Sequence, residues 1–188
     1  VEPVSEIDAA RERAILASLA GFPFLLVFGI AWLAAGALSC VVAPNVAPWL
    51  YVFMGFPATP IAILLERRSG YLPAARPDPL LALTLQILFV QVVAFPVIMI
   101  VWSTAPHLVP VAFAAIAGAH FLPYQWIYRT KVYGILGVVV SLGSFLLAIA
   151  LKRRALQATG FFVGASLLIG AFAVRSHAKA TWLRRGSR

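Results

Sequence analysis

The sequence predicts an all-α fold, a polytopic integral membrane bundle of six transmembrane helices. Three observations predict it. Hydrophobic residues make up 62% of the chain and charged residues only 11%, about half the charged share of a soluble domain. The apolar residues fall into six runs, each close to the roughly 20 residues a helix needs to cross the hydrocarbon core. The 15 Lys and Arg lie between or beyond those runs, as the flanks of membrane helices do. Six spans use up most of the 188 residues, so residues 1–188 are expected to form a single membrane domain without a separate soluble part.

The elements follow in order. Ser5-Glu6-Ile7-Asp8 has the spacing of a capping box, with Asp in the Glu role, and predicts a short amphipathic helix over 5–13. The first span covers about 14–42. It is longer than a bilayer requires, so it tilts or begins along the interface. Pro23 is placed to kink it, and Gly29 and Gly36 offer a close-packing surface. The second span, about 49–65, is interrupted by Pro57 and Pro60 and ends at Glu66-Arg67-Arg68. A surface loop containing Gly70, Pro73, Arg76, Pro77 and Asp78 follows. The third span, about 80–102, carries Gln86, Gln91 and Pro96, and the fourth covers about 108–128. In the fourth, Ala114 and Gly118 form a small pair at i+4, suited to close helix contact. The fifth span is 132–151. The sixth, about 156–174, contains the GxxxG pair Gly160 and Gly164, a weak association signal because glycine is common in membrane helices. A basic tail, 175–188, ends the chain and is expected to be partly disordered. Ala43-Pro44 with Pro48 is echoed by Ala105-Pro106 with Pro110 at an offset of 62, which leaves open a duplication of helical hairpins.

Charge sets the orientation and the partners. In a six-span arrangement, twelve of the Lys and Arg lie on the side of the N-terminus, and only Lys152, Arg153 and Arg154 lie on the other. The positive-inside rule therefore puts both termini in the cytoplasm. The formal charge of +9 would suggest nucleic acid on a soluble protein. Here it sits at helix ends and in the tail, so anionic lipid headgroups are the expected partners and no nucleic acid is. Cys40 is the only cysteine, which excludes an intrachain disulfide and a cysteine-based metal site. No spacing of metal ligands, haem ligands, nucleophile elbow or phosphate loop occurs, so no metal and no cofactor are expected.

Candidate site residues centre on the stretch from Gly118 to Lys131. His120 lies about 12 Å inside the fourth span at 1.5 Å per residue. An ionisable group at that depth is costly and normally faces the bundle interior or a watery cavity. Tyr124, at i+4, shares its face, and Gln125 lies close to that face. Pro123 frees a backbone carbonyl about one turn back, near Ala119. Trp126 and Tyr128 are placed as interface anchors, with Arg129 and Lys131 on the polar side. On the third span Gln86 is roughly 9 Å deep and Gln91 roughly 16 Å. Matched depth predicts one polar layer of Gln86, Gln91 and His120, with Tyr124, Gln125 and Glu66 nearer its cytoplasmic mouth. The alternative is a closed inter-helix hydrogen-bond network with no ligand.

The run Gly118-Ala119-His120-Phe121-Leu122-Pro123-Tyr124, followed by Trp126-Ile127-Tyr128, resembles the signature of an uncharacterised family of small bacterial integral membrane proteins. The resemblance implies a six-helix protein of the bacterial inner membrane and carries no activity with it. Three functions stay open. The first is a small transporter, channel or ligand-binding membrane protein, possible as a homo-oligomer, with a polar site around His120. The second is a structural or accessory subunit without a substrate. The third is a membrane enzyme using His120 as general base.

Overall fold

The computed structural model describes residues 6–72 and 79–187. The chain is all-helical there, without a strand among the described residues. Helices α1 (Glu6–Ser18) and α2 (Phe22–Leu38) form a first arm, and α3 (Ala47–Phe53) and α4 (Gly55–Ser69) a second. Helices α5 (Pro79–Val93) and α6 (Phe95–Thr104) form a third, followed by α7 (Val109–Ile127), α8 (Val132–Leu151) and α9 (Ala155–Gly186). Four stretches are long and apolar enough to cross a membrane: Glu6–Leu38, Ala47–Ser69, Pro106–Ile127 and Val132–Gly186. The last of these doubles back at Lys152 (φ 50), because Gly143 lies against Phe162 and Gly170 against Leu136.

Several breaks have a local cause in the sequence. Pro96 stands in the first turn of α6 after the interruption at Ala94, where its missing N–H costs nothing. Pro23 does the same for α2, so it starts a helix and does not kink one in mid-span. The actual break in the first arm is a turn at Leu19-Ala20-Gly21, with φ of 52, 53 and 79. The second arm is interrupted at Met54, between α3 and α4, while α7 runs unbroken through the position 62 residues on. The two arms with similar prolines are therefore not alike in shape.

The basic tail differs from expectation. Helix α9 continues to Gly186, since Ala, Lys, Leu and Arg are good helix formers. Trp182 stacks on Tyr71 at 5.3 Å, and Ala178 is buried. The expected surface loop around Pro73, Arg76, Pro77 and Asp78 lies outside the described residues.

The core is built on glycine. On α2 and α9, Gly36 meets Gly160, and Gly29 meets Gly164 and Leu168, so the two helices run antiparallel with backbones in contact. On α7 and α8, Gly118 meets Gly137 and Ser141. Lipid tails are as apolar as side chains, so close backbone approach and dispersion, not burial from water, hold such helices together. Gly160 and Gly164 thus face α2 within the chain. Large apolar residues on α8 (Ile135, Leu142, Phe145, Leu146, Ile149) and on the third arm (Phe89, Val92, Val97, Ile100) point outward, as they would against lipid.

Each arm begins at one end of the bundle and finishes at the other. One end collects Tyr71 with Trp182 and Arg129 with Asp8 (3.1 Å), and Arg11 over the Trp126 ring (3.6 Å). The opposite end collects Trp49 with Trp102 (4.6 Å) and the Tyr51 hydroxyl donating to the Leu156 carbonyl (2.8 Å). Helix α4 packs on α2 and α5 packs on α7, with α1 touching both; α4 makes no extensive contact with α5 or α6 among the described residues.

Candidate functional site

Helices α5 and α7 bring Gln91 and His120 together. The Gln91 amide nitrogen lies 3.1 Å from Nδ1 and 3.2 Å from Nε2 of the ring. Neutral imidazole has one donor and one acceptor. Its acceptor nitrogen can take an N–H of the Gln91 amide. The amide oxygen of Gln91 then has no donor among the described residues.

Tyr124 continues the His120 face. The two rings meet edge to face, with centroids 5.8 Å apart and planes at 84°. Tyr124 stacks on Tyr128 at 5.7 Å and 9°, and both rings touch Tyr133 of α8 at 5.5 Å. His120, Tyr124 and Tyr128 therefore form a stripe at i, i+4 and i+8, closed by Tyr133. The Tyr133 hydroxyl donates to the Ala20 carbonyl at 2.7 Å, inside the left-handed turn between α1 and α2. The Ser18 and Tyr128 hydroxyls are 3.3 Å apart, and the Gly21 N–H donates to Ser18 Oγ at 3.3 Å. The Nε2–H of His177 on α9 donates to the Tyr128 carbonyl at 3.0 Å. Leu19 and Ala20 are L-residues held in a region that costs roughly 1–2 kcal/mol each, and both are buried. Such strain persists only where surrounding contacts over-determine it; here the tyrosine cluster does so.

Glu66, near the end of α4, is partly buried. Its carboxylate is within electrostatic range of Tyr124, Tyr128 and Tyr133 and of the neighbouring Arg67. It makes no hydrogen bond or ion pair among the described residues; the ion pairs there are those of Asp8 with Arg11 and Arg129.

Two of the expected site residues stand apart. Gln86 is exposed, and Gln125 lies over Gly134 of α8. Each is five residues from its supposed partner, Gln91 or His120, which turns it about 140° around the helix. Depth matched, but direction did not. Sequence reasoning gave Tyr128 only an anchoring role, although its i+8 spacing from His120 was readable. Ser18, Tyr133 and His177 carry no local signal, because only the packing of α1, α8 and α9 brings them there. Among the described residues no three His, Cys, Asp or Glu side chains converge as metal ligands.

No curated protein and no solved structure matches the chain. A family described only as being of unknown function, DUF7010, matches it over residues 7–177. An apolar, all-helical chain with four stretches fit to cross a membrane, it belongs to the DUF7010 family of unknown function.

Proposed function

We propose that this protein is a single-domain membrane protein of six crossings that binds a small molecule at the Gln91–His120–Tyr124 layer, as a small transporter, channel or binding protein. The observation that carries the reading is the cross-helix contact of Gln91 with His120. It joins two polar groups on helices that an apolar packing alone would join more cheaply. It also leaves an amide oxygen unmet, and a fully closed network would not. The general-base reading needs a carboxylate on the ring, whereas the ring's hydrogen-bond partner among the described residues is an amide.

The decisive test uses a thermal-shift screen of small molecules on the detergent-purified protein and its His120→Gln variant. Glutamine keeps hydrogen-bonding capacity without the imidazole ring. Compounds that raise the melting temperature of the wild type and not of the variant are expected. If His120→Gln instead lowers stability by about 1–3 kcal/mol, as a broken buried network does, and no compound discriminates between the two proteins, the layer is structural and the proposal fails.

The same proposal puts both termini in the cytoplasm of a bacterial cell, with the protein in the inner membrane, and assigns the basic end of α9 to anionic headgroups. Assembly into a homo-oligomer is part of the proposal too. Cys40 lies beyond the end of α2 and is exposed and free. A membrane-impermeant maleimide is expected to label it in intact cells. Labelling of Cys40 only after the cells are opened would invert the topology.

A further inference from the structure

We infer that Arg11, Trp126 and Arg129, where α1 meets the α7–α8 turn, form a binding site for the headgroup of an anionic phospholipid. The site is separate from the Gln91–His120 layer and from the basic end of α9.

Direct contacts hold the cluster together. The Arg11 guanidinium lies over the Trp126 ring at 3.6 Å. A single oxygen of Asp8, Oδ1, accepts from Arg129 at 3.1 Å and faces Arg11 at 3.4 Å. One carboxylate thus serves two guanidiniums, and one positive charge is left over. Along α1 and the α7–α8 turn as a whole, Arg11, Arg13, Arg129 and Lys131 outnumber Glu6, Asp8 and Glu12. Hydrogen-bonding capacity is left over as well. Each guanidinium is a fork of several N–H donors, yet the bonds to Asp8 use one nitrogen of each. Arg11 Nε is buried without an acceptor, and the Trp126 indole N–H has none among the described residues.

The placement of these groups suits a headgroup. Trp126 is 48% exposed and the Arg129 side chain 56%, at the end of α7, where an indole and a cation mark the boundary of a bilayer. The Arg11 side chain, 14% exposed, adds its charge from beneath. The backbone of Arg129 is left-handed, with φ 51. Glycine would be unstrained there, and for an L-residue the strain costs more than an exposed ion pair returns. The contact with Asp8 therefore does not by itself account for an arginine at this position, whereas a charge presented outward does. The turn is fixed from behind, since the His177 Nε2–H donates to the Tyr128 carbonyl at 3.0 Å. A phosphate supplies several acceptor oxygens and a negative charge, which guanidinium meets with paired, charge-assisted bonds. A zwitterionic headgroup carries the same phosphate but brings a cation with it, which the leftover positive charge opposes.

The experiment follows lipid contact at Trp126. Detergent-purified protein is titrated with phosphatidylglycerol or phosphatidylcholine, each brominated near the head of its acyl chains. Quenching of Trp126 is the difference between the wild type and Trp126→Phe. Phosphatidylglycerol is expected to quench at a mole fraction about fivefold lower than phosphatidylcholine, the worth of one cation beside an anionic headgroup. Arg129→Gln and Arg11→Gln are expected to remove that preference, and Arg129→Lys to retain part of it. The double variant Arg184→Gln/Arg185→Gln, at the end of α9, is expected to leave it intact. If the two glutamine variants do not fold, the preference of the wild type, of Arg129→Lys and of the α9 variant decides the matter. Equal quenching by both lipids in the wild type would overturn the inference. So would a preference that survives Arg129→Gln, or one that the α9 variant removes. Displacement of phosphatidylglycerol by soluble glycerol phosphate would overturn the lipid as occupant in favour of a free phosphate ester.

Discussion

Replacing Gly160 by valine is expected to destabilise the protein by about 3 kcal/mol, at the upper end of what overpacking costs. A Cβ on Gly160 would stand 2.7 Å from the Gly36 Cα, and a backbone atom has no rotamer through which to retreat. One turn on, the place of a Cβ on Gly164 is 2.8 Å from the Gly29 carbonyl oxygen. The glycines meet in a patch, so one added side chain must move α2 and α9 apart along several residues. Inside a bilayer no hydrophobic gain would compensate for the lost contact. The measurement is thermal unfolding in detergent, with Gly55→Ala as the internal control. No atom lies within 4 Å of a Cβ on Gly55, so that variant is expected to melt like the wild type or slightly above it, helped by helix propensity. A Gly160→Val protein that melted with its control would show that the two helices do not touch there.

The second large effect concerns the turn between α1 and α2, and it has two signs. Tyr133→Phe removes the hydroxyl that donates to the Ala20 carbonyl at 2.7 Å. Both residues are buried, so the carbonyl is left without a donor, at an expected cost of about 1–3 kcal/mol. Ala20→Gly acts on the same turn in the opposite direction. Ala20 sits at φ 53, where a residue without a Cβ is unstrained, and the relief is offset in part by the larger backbone entropy of glycine. The net expectation is a gain of up to about 1 kcal/mol. If Ala20→Gly lost stability while Tyr133→Phe was neutral, the left-handed turn and its tyrosine latch would both be wrong.

The polar layer shows how far a one-dimensional reading reaches. Tyr124 was legible because four residues bring a side chain back to within about 40° of His120. Gln91 was legible only as a depth, and depth places a residue on a circle, not at a point. That reasoning also admitted Gln86 and Gln125, which the structure turns elsewhere. The break in the first arm escaped for a related reason. Pro23 is a conspicuous breaker, yet it is comfortable in the first turn of α2. The strain sits on Leu19 and Ala20, residue types that no propensity scale would send there.

By itself the sequence determined that the chain is helical, that four or more of its stretches suit a membrane, and that most of its positive charge gathers at one set of helix ends. These properties follow from transfer free energies and helix periodicity, which act residue by residue along the chain. Which glycines meet, which tyrosines close on Ser18 and Ala20, and which glutamine finds His120 were decided by the tertiary structure alone. Those choices depend on the rotation of each helix about its axis and on its neighbours, and in an apolar solvent small differences in backbone approach set both.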